Sequence, residues 1–208
     1  MYKSPRSANS EYDDGDISEI QFDKLKGHGS SQSNINGNEI YFYSDVDVGS
    51  VFSLNKSISD LEKQMLITQI SLDLPEPPHI KLYINSDGGE IFSSFTVVDR
   101  IKNSKVPIFT YVEGIVASAS TLISISGKKR FIGNNGLMLV HQLRSWCSGT
   151  HENIKDETKN LQMLSEKIKK IYLENTKFTN SDLDEILKHD IYLSSEECLK
   201  YGLVDCII

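Results

Sequence analysis

Ile84-Asn85-Ser86-Asp87-Gly88-Gly89 is the stretch on which the fold turns. It closes an apolar run of strand length, Ile80 to Asn85. It opens a helical pattern, Ile91 to Ile101, with Phe95, Val98 and Ile101 on one side. The same grammar recurs downstream. Pro107 to Val112 reads as a strand, Gly114-Ile115-Val116-Ala117-Ser118-Ala119-Ser120 as a turn, and Ser118 to Ser126 as a short helix of small residues. A third run, Met138-Leu139-Val140-His141-Gln142, ends on a histidine. Strands alternating with helices predict an α/β fold with right-handed crossovers. In such folds chemistry gathers at the ends of neighbouring strands.

Working outward, Glu39 to Ser44 reads as the first core strand and Asp45 to Asn55 as a polar loop. Ile58 to Leu74 reads as a helix, capped by Ser57 or Ser59 and ended by Pro75, Pro77 and Pro78. Arg130–Ile132 and Leu137–His141 read as strands around the turn Gly133-Asn134-Asn135-Gly136. The longest helix is predicted from Asn153 to Glu174. Its narrow stripe of Ile154, Leu161, Leu164, Ile168 and Ile171 suits either core or a seam to another subunit. Asn180–Lys188 and Ser194–Tyr201 read as final helices, the second opened by the capping box Ser194/Glu197, and Leu203–Ile208 as a closing strand.

Residues 1–38 are polar and read as a flexible N-terminal arm, with 39–208 as the folded domain. Within the arm, Ile17, Ile20, Phe22 and Leu25 form a cluster that either docks a partner or sister subunit or belongs to a floppy tail. A net charge of −7, with no Lys/Arg stripe, argues against nucleic acid. Cys147, Cys198 and Cys206 have no metal-ligand spacing, and no metal or other cofactor is expected. There is no apolar leader and no run of membrane-spanning length, so a cytoplasmic protein that avoids membranes is expected.

Ser118 stands where a strand becomes a helix. There the amide of Ala119 and the helix dipole favour negative charge beside the hydroxyl. A serine at such a turn is more often a helix cap, and it is a poor nucleophile until a base takes its proton. Gly88-Gly89 lets the backbone bring an N–H close to a ligand, although a lone Asp-Gly-Gly is more often an ordinary turn. An amide of Gly89 with that of Ala119 would form an oxyanion hole. His141 is the one histidine of five that follows a buried strand, and its neutral imidazole suits a base, although such a histidine is more often a satisfied core or edge residue. Asp190 could orient that imidazole; alone it reads as a solvated carboxylate. The chain order Ser-His-Asp differs from the three familiar triad orders, and no G-x-S-x-G elbow, P-loop or G-x-G-x-x-G is found.

Tyr83-Ile84-Asn85-Ser86-Asp87-Gly88-Gly89, Gly114-x-x-Ala117-Ser118, Val140-His141-Gln142 and Tyr201-Gly202-Leu203-Val204-Asp205 together resemble the proteolytic subunit of the Clp protease, in that order and near that family's spacing. The resemblance covers about Glu39 to the C-terminus. It implies a ClpP/crotonase-like fold of repeated strand–helix units with a protruding handle helix. It implies a serine endopeptidase in homo-oligomeric rings, heptameric or doubled to a tetradecamer. It also implies an AAA+ unfoldase partner that feeds unfolded protein into a closed chamber. Carried over by position, Ser118 is the nucleophile, His141 the base and Asp190 the orienting carboxylate, with Gly89 and Ala119 as oxyanion amides. The chain departs from the family at Asp87 and Leu143, where prolines are usual, at Ser120, where glycine is usual, and in a handle strand reduced to Leu143–Gly149. Those departures raise a second expectation, a specialised (viral maturation) or inactive shell subunit. A crotonase-type acyl-CoA enzyme would share the fold and the two amides but not the triad.

Overall fold

A computed structural model describes residues 34–208. In chain order the elements are β1 (Asn34–Asn36), β2 (Glu39–Phe42), α1 (Val48–Ser71), β3 (Ile80–Ser86), α2 (Ile91–Lys102), β4 (Ile108–Ala117) and α3 (Ala119–Ile125). They continue with β5 (Lys129–Ile132), β6 (Leu137–Leu139), α4 (His151–Asn175), α5 (Asn180–Ile186), β7 (Tyr192–Leu193), α6 (Ser195–Lys200) and β8 (Cys206–Ile207). The strand order is β1-β2-β3-β4-β5-β8, parallel from β2 to β8. The short β6 pairs with β4 on one side and β7 on the other. The expected α/β alternation is therefore the observed one.

β3 shows why the sheet sits where it does. Ile80, Leu82, Ile84 and Ser86 are buried and alternate with half-buried Lys81, Tyr83 and Asn85. On the second face Tyr41, Tyr83, Tyr111 and Phe131 are register partners across β2, β3, β4 and β5. Their rings stack at 4.9, 4.7 and 4.7 Å. Cross-strand aromatic pairs of this kind stabilise a sheet and hold its register.

Four expectations are corrected. First, the loop expected over Asp45–Asn55 is largely helix. Asp47 caps α1 by accepting the Ser50 N–H at 2.8 Å, and the Ser50 hydroxyl accepts the Asp47 N–H at 3.0 Å. Gly49, Ser50 and Ser53 made the segment read as polar. The stripe Val51, Leu54, Ile58, Leu61 and Met65, in steps of three and four, is what the core sees. Second, β7 falls where a bare connection was expected. Third, β6 stops at Leu139 instead of His141. Fourth, Leu203 and Val204 close the end of α6, where Leu203 N–H donates to Cys198 C=O at 2.8 Å; the final strand is only Cys206–Ile207.

The expected arm lies outside the described residues as far as residue 33, and with it the Ile17, Ile20, Phe22 and Leu25 cluster. Residues 34–36 form β1, antiparallel to β2 around Gly37-Asn38. In α4 only Ile168, Ile171 and Tyr172 are buried, all near its C-terminal end; Ile154 and Met163 are exposed. The amino-terminal part of this helix thus leaves the core. Among the described residues no helix is long and apolar enough to cross a membrane.

Candidate active site

The three-residue β6 is the hub. On one side it runs parallel to the end of β4, with Ile115, Val116 and Ala117 opposite Leu137, Met138 and Leu139. The next amide, Ser118 N–H, donates to Leu139 C=O at 2.8 Å. On the other side β6 pairs antiparallel with β7, with Met138 opposite Leu193 and Leu139 opposite Tyr192. Carried two residues further, that register sets Asp190 opposite His141. The missed strand β7 is thus what brings the acid and the imidazole together.

Ser118 sits at φ 55°, ψ −127°, a left-handed conformation that few non-glycine residues adopt. Such backbone costs roughly 1–3 kcal/mol and persists only where the surroundings over-determine it. They do so here. Thr121 N–H and hydroxyl both donate to Ser118 C=O, and Thr121 Oγ1 is also bonded to the buried Tyr172 hydroxyl. Ser94 Oγ donates to Ala119 C=O at 2.7 Å. Ser120 Oγ accepts Ala117 N–H at 3.0 Å and lies 2.6 Å from Ala117 C=O and 2.9 Å from Ser86 C=O. That hydroxyl ties the end of β3 to the elbow. The Ser118 hydroxyl itself makes no capping bond, so the commoner role for such a serine does not apply.

Both glycines of the Gly88-Gly89 pair are required by space as well as by φ. At Gly88 (φ 101°) a Cβ would stand 2.6 Å from Ala117 O and 2.7 Å from Ser118 Cβ. At Gly89 (φ 142°) it would stand 2.2 Å from Val46 O. A parallel bridge to Val46 uses Gly88 C=O, at 2.7 Å, and Glu90 N–H, at 2.7 Å. Peptide groups alternate along an extended strand, so the amide of Gly89 points away from Val46. Ala119, first residue of α3, has no carbonyl within its own helix to bond. Gly89, Ser118, Ala119 and His141 line one cleft of about 310 Å³, whose walls include Leu143, Arg144 and Tyr172.

The acid end is looser. His141 Nδ1 lies 3.6 Å from Asp190 Oδ1, beyond hydrogen-bond range, and this buried nitrogen has no partner among the described residues. The other oxygen, Oδ2, is bonded by the Arg144 guanidinium. Burial holds the His141 pKa below its ordinary 6.5, opposed by the charge of Asp190 and reinforced by that of Arg144. Arg144 and Tyr172 were given no site role from sequence, and no local signal marks them. Ser120 was named there only as a departure from the family, without a role.

The family model for Clp protease matches residues 37–208. An ATP-dependent Clp protease proteolytic subunit 2 from Treponema denticola is 31% identical over 156 residues, 74% of this chain and 77% of that protein. An ATP-dependent Clp protease proteolytic subunit from Bigelowiella natans is 34% identical over 152 residues, 72% of this chain and 78% of that one. Among solved structures, a ClpP1 point mutant from Listeria monocytogenes superposes with a TM-score of 0.71 at 25% identity, covering 83% of this chain and 91% of its own. A strained serine at a strand–helix elbow, a glycine pair pressed against it and a match over most of the length lead to one conclusion: this chain belongs to the Clp protease family and is a serine peptidase of the ClpP type.

Proposed function

We propose that Ser118, His141 and Asp190 form the catalytic triad of an endopeptidase and that Gly89 and Ala119 N–H form its oxyanion hole. The observation that carries this reading is the strained, uncapped Ser118 sharing one cleft with His141 and both amides. His141 Nε2 takes the proton of Ser118 Oγ as that oxygen attacks a peptide carbonyl. The two amides receive the developing oxyanion, each worth roughly 3 kcal/mol in the transition state. The imidazolium then passes its proton to the leaving amine, and an acyl-enzyme remains on Ser118. Water, activated by the same imidazole, releases it. Asp190 holds the Nδ1–H tautomer and stabilises the imidazolium.

The family implies oligomeric rings and ATPase partners. The finer reading is a homo-oligomer of heptameric rings, single or stacked, enclosing a chamber into which an AAA+ unfoldase delivers unfolded protein. The largely uncovered amino-terminal part of α4 supports a contact between rings. A fluorogenic peptide assay on wild type and Ser118→Ala tests the chemistry: turnover should vanish in the variant, and equal rates would remove Ser118 from the mechanism. A thioester-cleaving enzyme of the crotonase type would turn over acyl-CoA instead and would not respond to Asp190→Asn. Negative-stain images test the ring, with seven-fold views expected.

A further inference from the structure

We infer that Arg144 is a positioning residue that restrains the triad: it competes with His141 for the carboxylate of Asp190 and holds the resting site open. The inference rests on the triad reading above. Asp190 has two oxygens and two suitors. Arg144 bonds Oδ2, whereas Oδ1 stops 3.6 Å short of His141 Nδ1. The imidazole nitrogen is buried and has no partner among the described residues. That is costly to leave unmade, since a buried polar atom without a bond loses its hydration and gains nothing. Besides Asp87 in the substrate cleft, the other charged groups that share a cavity with His141 come from α4, α5 and the turn after α5: Lys169, Asp184 and Lys188 line the cavity on its far side. They are engaged elsewhere, Lys169 with Asp184 and Lys188 with Glu185. Asp190 is therefore the acid within reach of Nδ1, and Arg144 is the group that holds it.

The geometry makes the restraint releasable. Arg144 and Asp190 side chains are 71% and 51% exposed, so their pair is screened by salt and weak. Arg144 also forms part of the wall of the substrate cleft, next to Leu143, where a bound chain would meet it. When the guanidinium leaves, a shift of well under 1 Å in Asp190 closes the bond to Nδ1. The covalent chemistry is unchanged, and what changes is the fraction of sites in which the imidazole is oriented and its positive form stabilised.

The test uses the assembled full-length protein and two readouts, fluorophosphonate labelling of Ser118 and turnover of a fluorogenic peptide. Arg144→Ala should label roughly two- to five-fold faster than wild type, the range set by a weak surface ion pair. Arg144→Lys should fall between the two. Added salt should speed wild type but not Arg144→Ala. In an Asp190→Asn background Arg144→Ala should do nothing, because the effect passes through the carboxylate. Slower labelling by an intact Arg144→Ala assembly would overturn the inference, since Arg144 would then support Asp190. If that variant fails to assemble, the salt response of wild type decides, and a flat response overturns the inference. Failure of the triad reading looks different: wild type and Ser118→Ala would label alike. A crystal structure of Arg144→Ala still separates the cases, with Nδ1–Oδ within about 3.2 Å expected and an unchanged gap counting against the restraint.

Discussion

The two ends of the proposed triad are built in opposite ways. The serine end is locked inside the fold. Ser118 is held by bonds from Thr121 N–H and its hydroxyl, by the β6 carbonyl of Leu139, and by a glycine that leaves no room for a methyl group. The acid end lies at the surface. Asp190 is half-exposed, follows a helix end, and divides its oxygens between an arginine and a histidine. Strain needs a rigid frame to hold it, whereas an acid that only orients an imidazole can sit on a mobile edge. On the proposed reading, the molecule fixes its nucleophile through folding stability and sets its acid through exposed electrostatics.

Substitutions at the two ends should fail differently. Asp190→Asn is expected to lower kcat by as much as ~10⁴-fold, the size seen when a triad acid is neutralised. It should leave the melting temperature unchanged, because the side chain is exposed; a parallel fall in stability would erase the distinction. Gly88→Ala should cut kcat by on the order of 10²-fold, as for a misplaced oxyanion donor. Here the melting temperature should fall as well, since the new methyl meets the Ala117 and Ser118 backbone and side chain. Ser120→Ala should destabilise by roughly 1–3 kcal/mol, the cost of orphaning buried peptide groups. Denaturant unfolding measures it, and labelling of Ser118 should slow in step. A normal labelling rate in that variant would show that Ser120 serves packing alone.

The smallest expected effect is on pH. His141 must be neutral to act as base, and burial lowers its pKa. The acid limb of kcat/KM is therefore expected below the ordinary 6.5, and it should move up in Arg144→Ala, where a repelling charge is lost and a hydrogen bond gained. The folded pKa lies below the unfolded one, so the unfolded chain binds more protons. This group's contribution to stability is present above about 6.5 and is lost as pH falls toward the folded pKa. A limb above 6.5 in wild type would indicate that the Nδ1–Asp190 bond is already made.

Much of the serine end was legible in the chain. Gly88-Gly89 after a strand, and Ser118 among alanines at the next strand end, carry their reasons locally, in backbone space and turn chemistry. The acid end was legible only through family likeness. β7 has two residues and exists because Leu139 and Met138 offer it an edge, which no local pattern announces. Arg144 lies in a stretch of polar loop whose one informative contact spans 46 residues of chain. The early start of α1 was hidden for a different reason. Gly49 and Ser50 read as loop-formers, yet Asp47 and Ser50 cap each other and the apolar steps begin at Val51.

Tyr172 joins the two regions, since its hydroxyl meets Thr121 under the elbow and the residue forms part of the cleft wall. It is wholly enclosed, and that enclosure pushes the phenol's ionisation upward from its usual 10.0. An unfolded chain would release this proton at ordinary alkaline pH and a native one would not, so alkali above about 10 pulls the equilibrium toward the opened chain. The ultraviolet band of its phenolate would therefore appear with loss of the native packing beneath the serine. The strained serine thus stands over a buried phenol whose ionisation is coupled to loss of the surrounding structure.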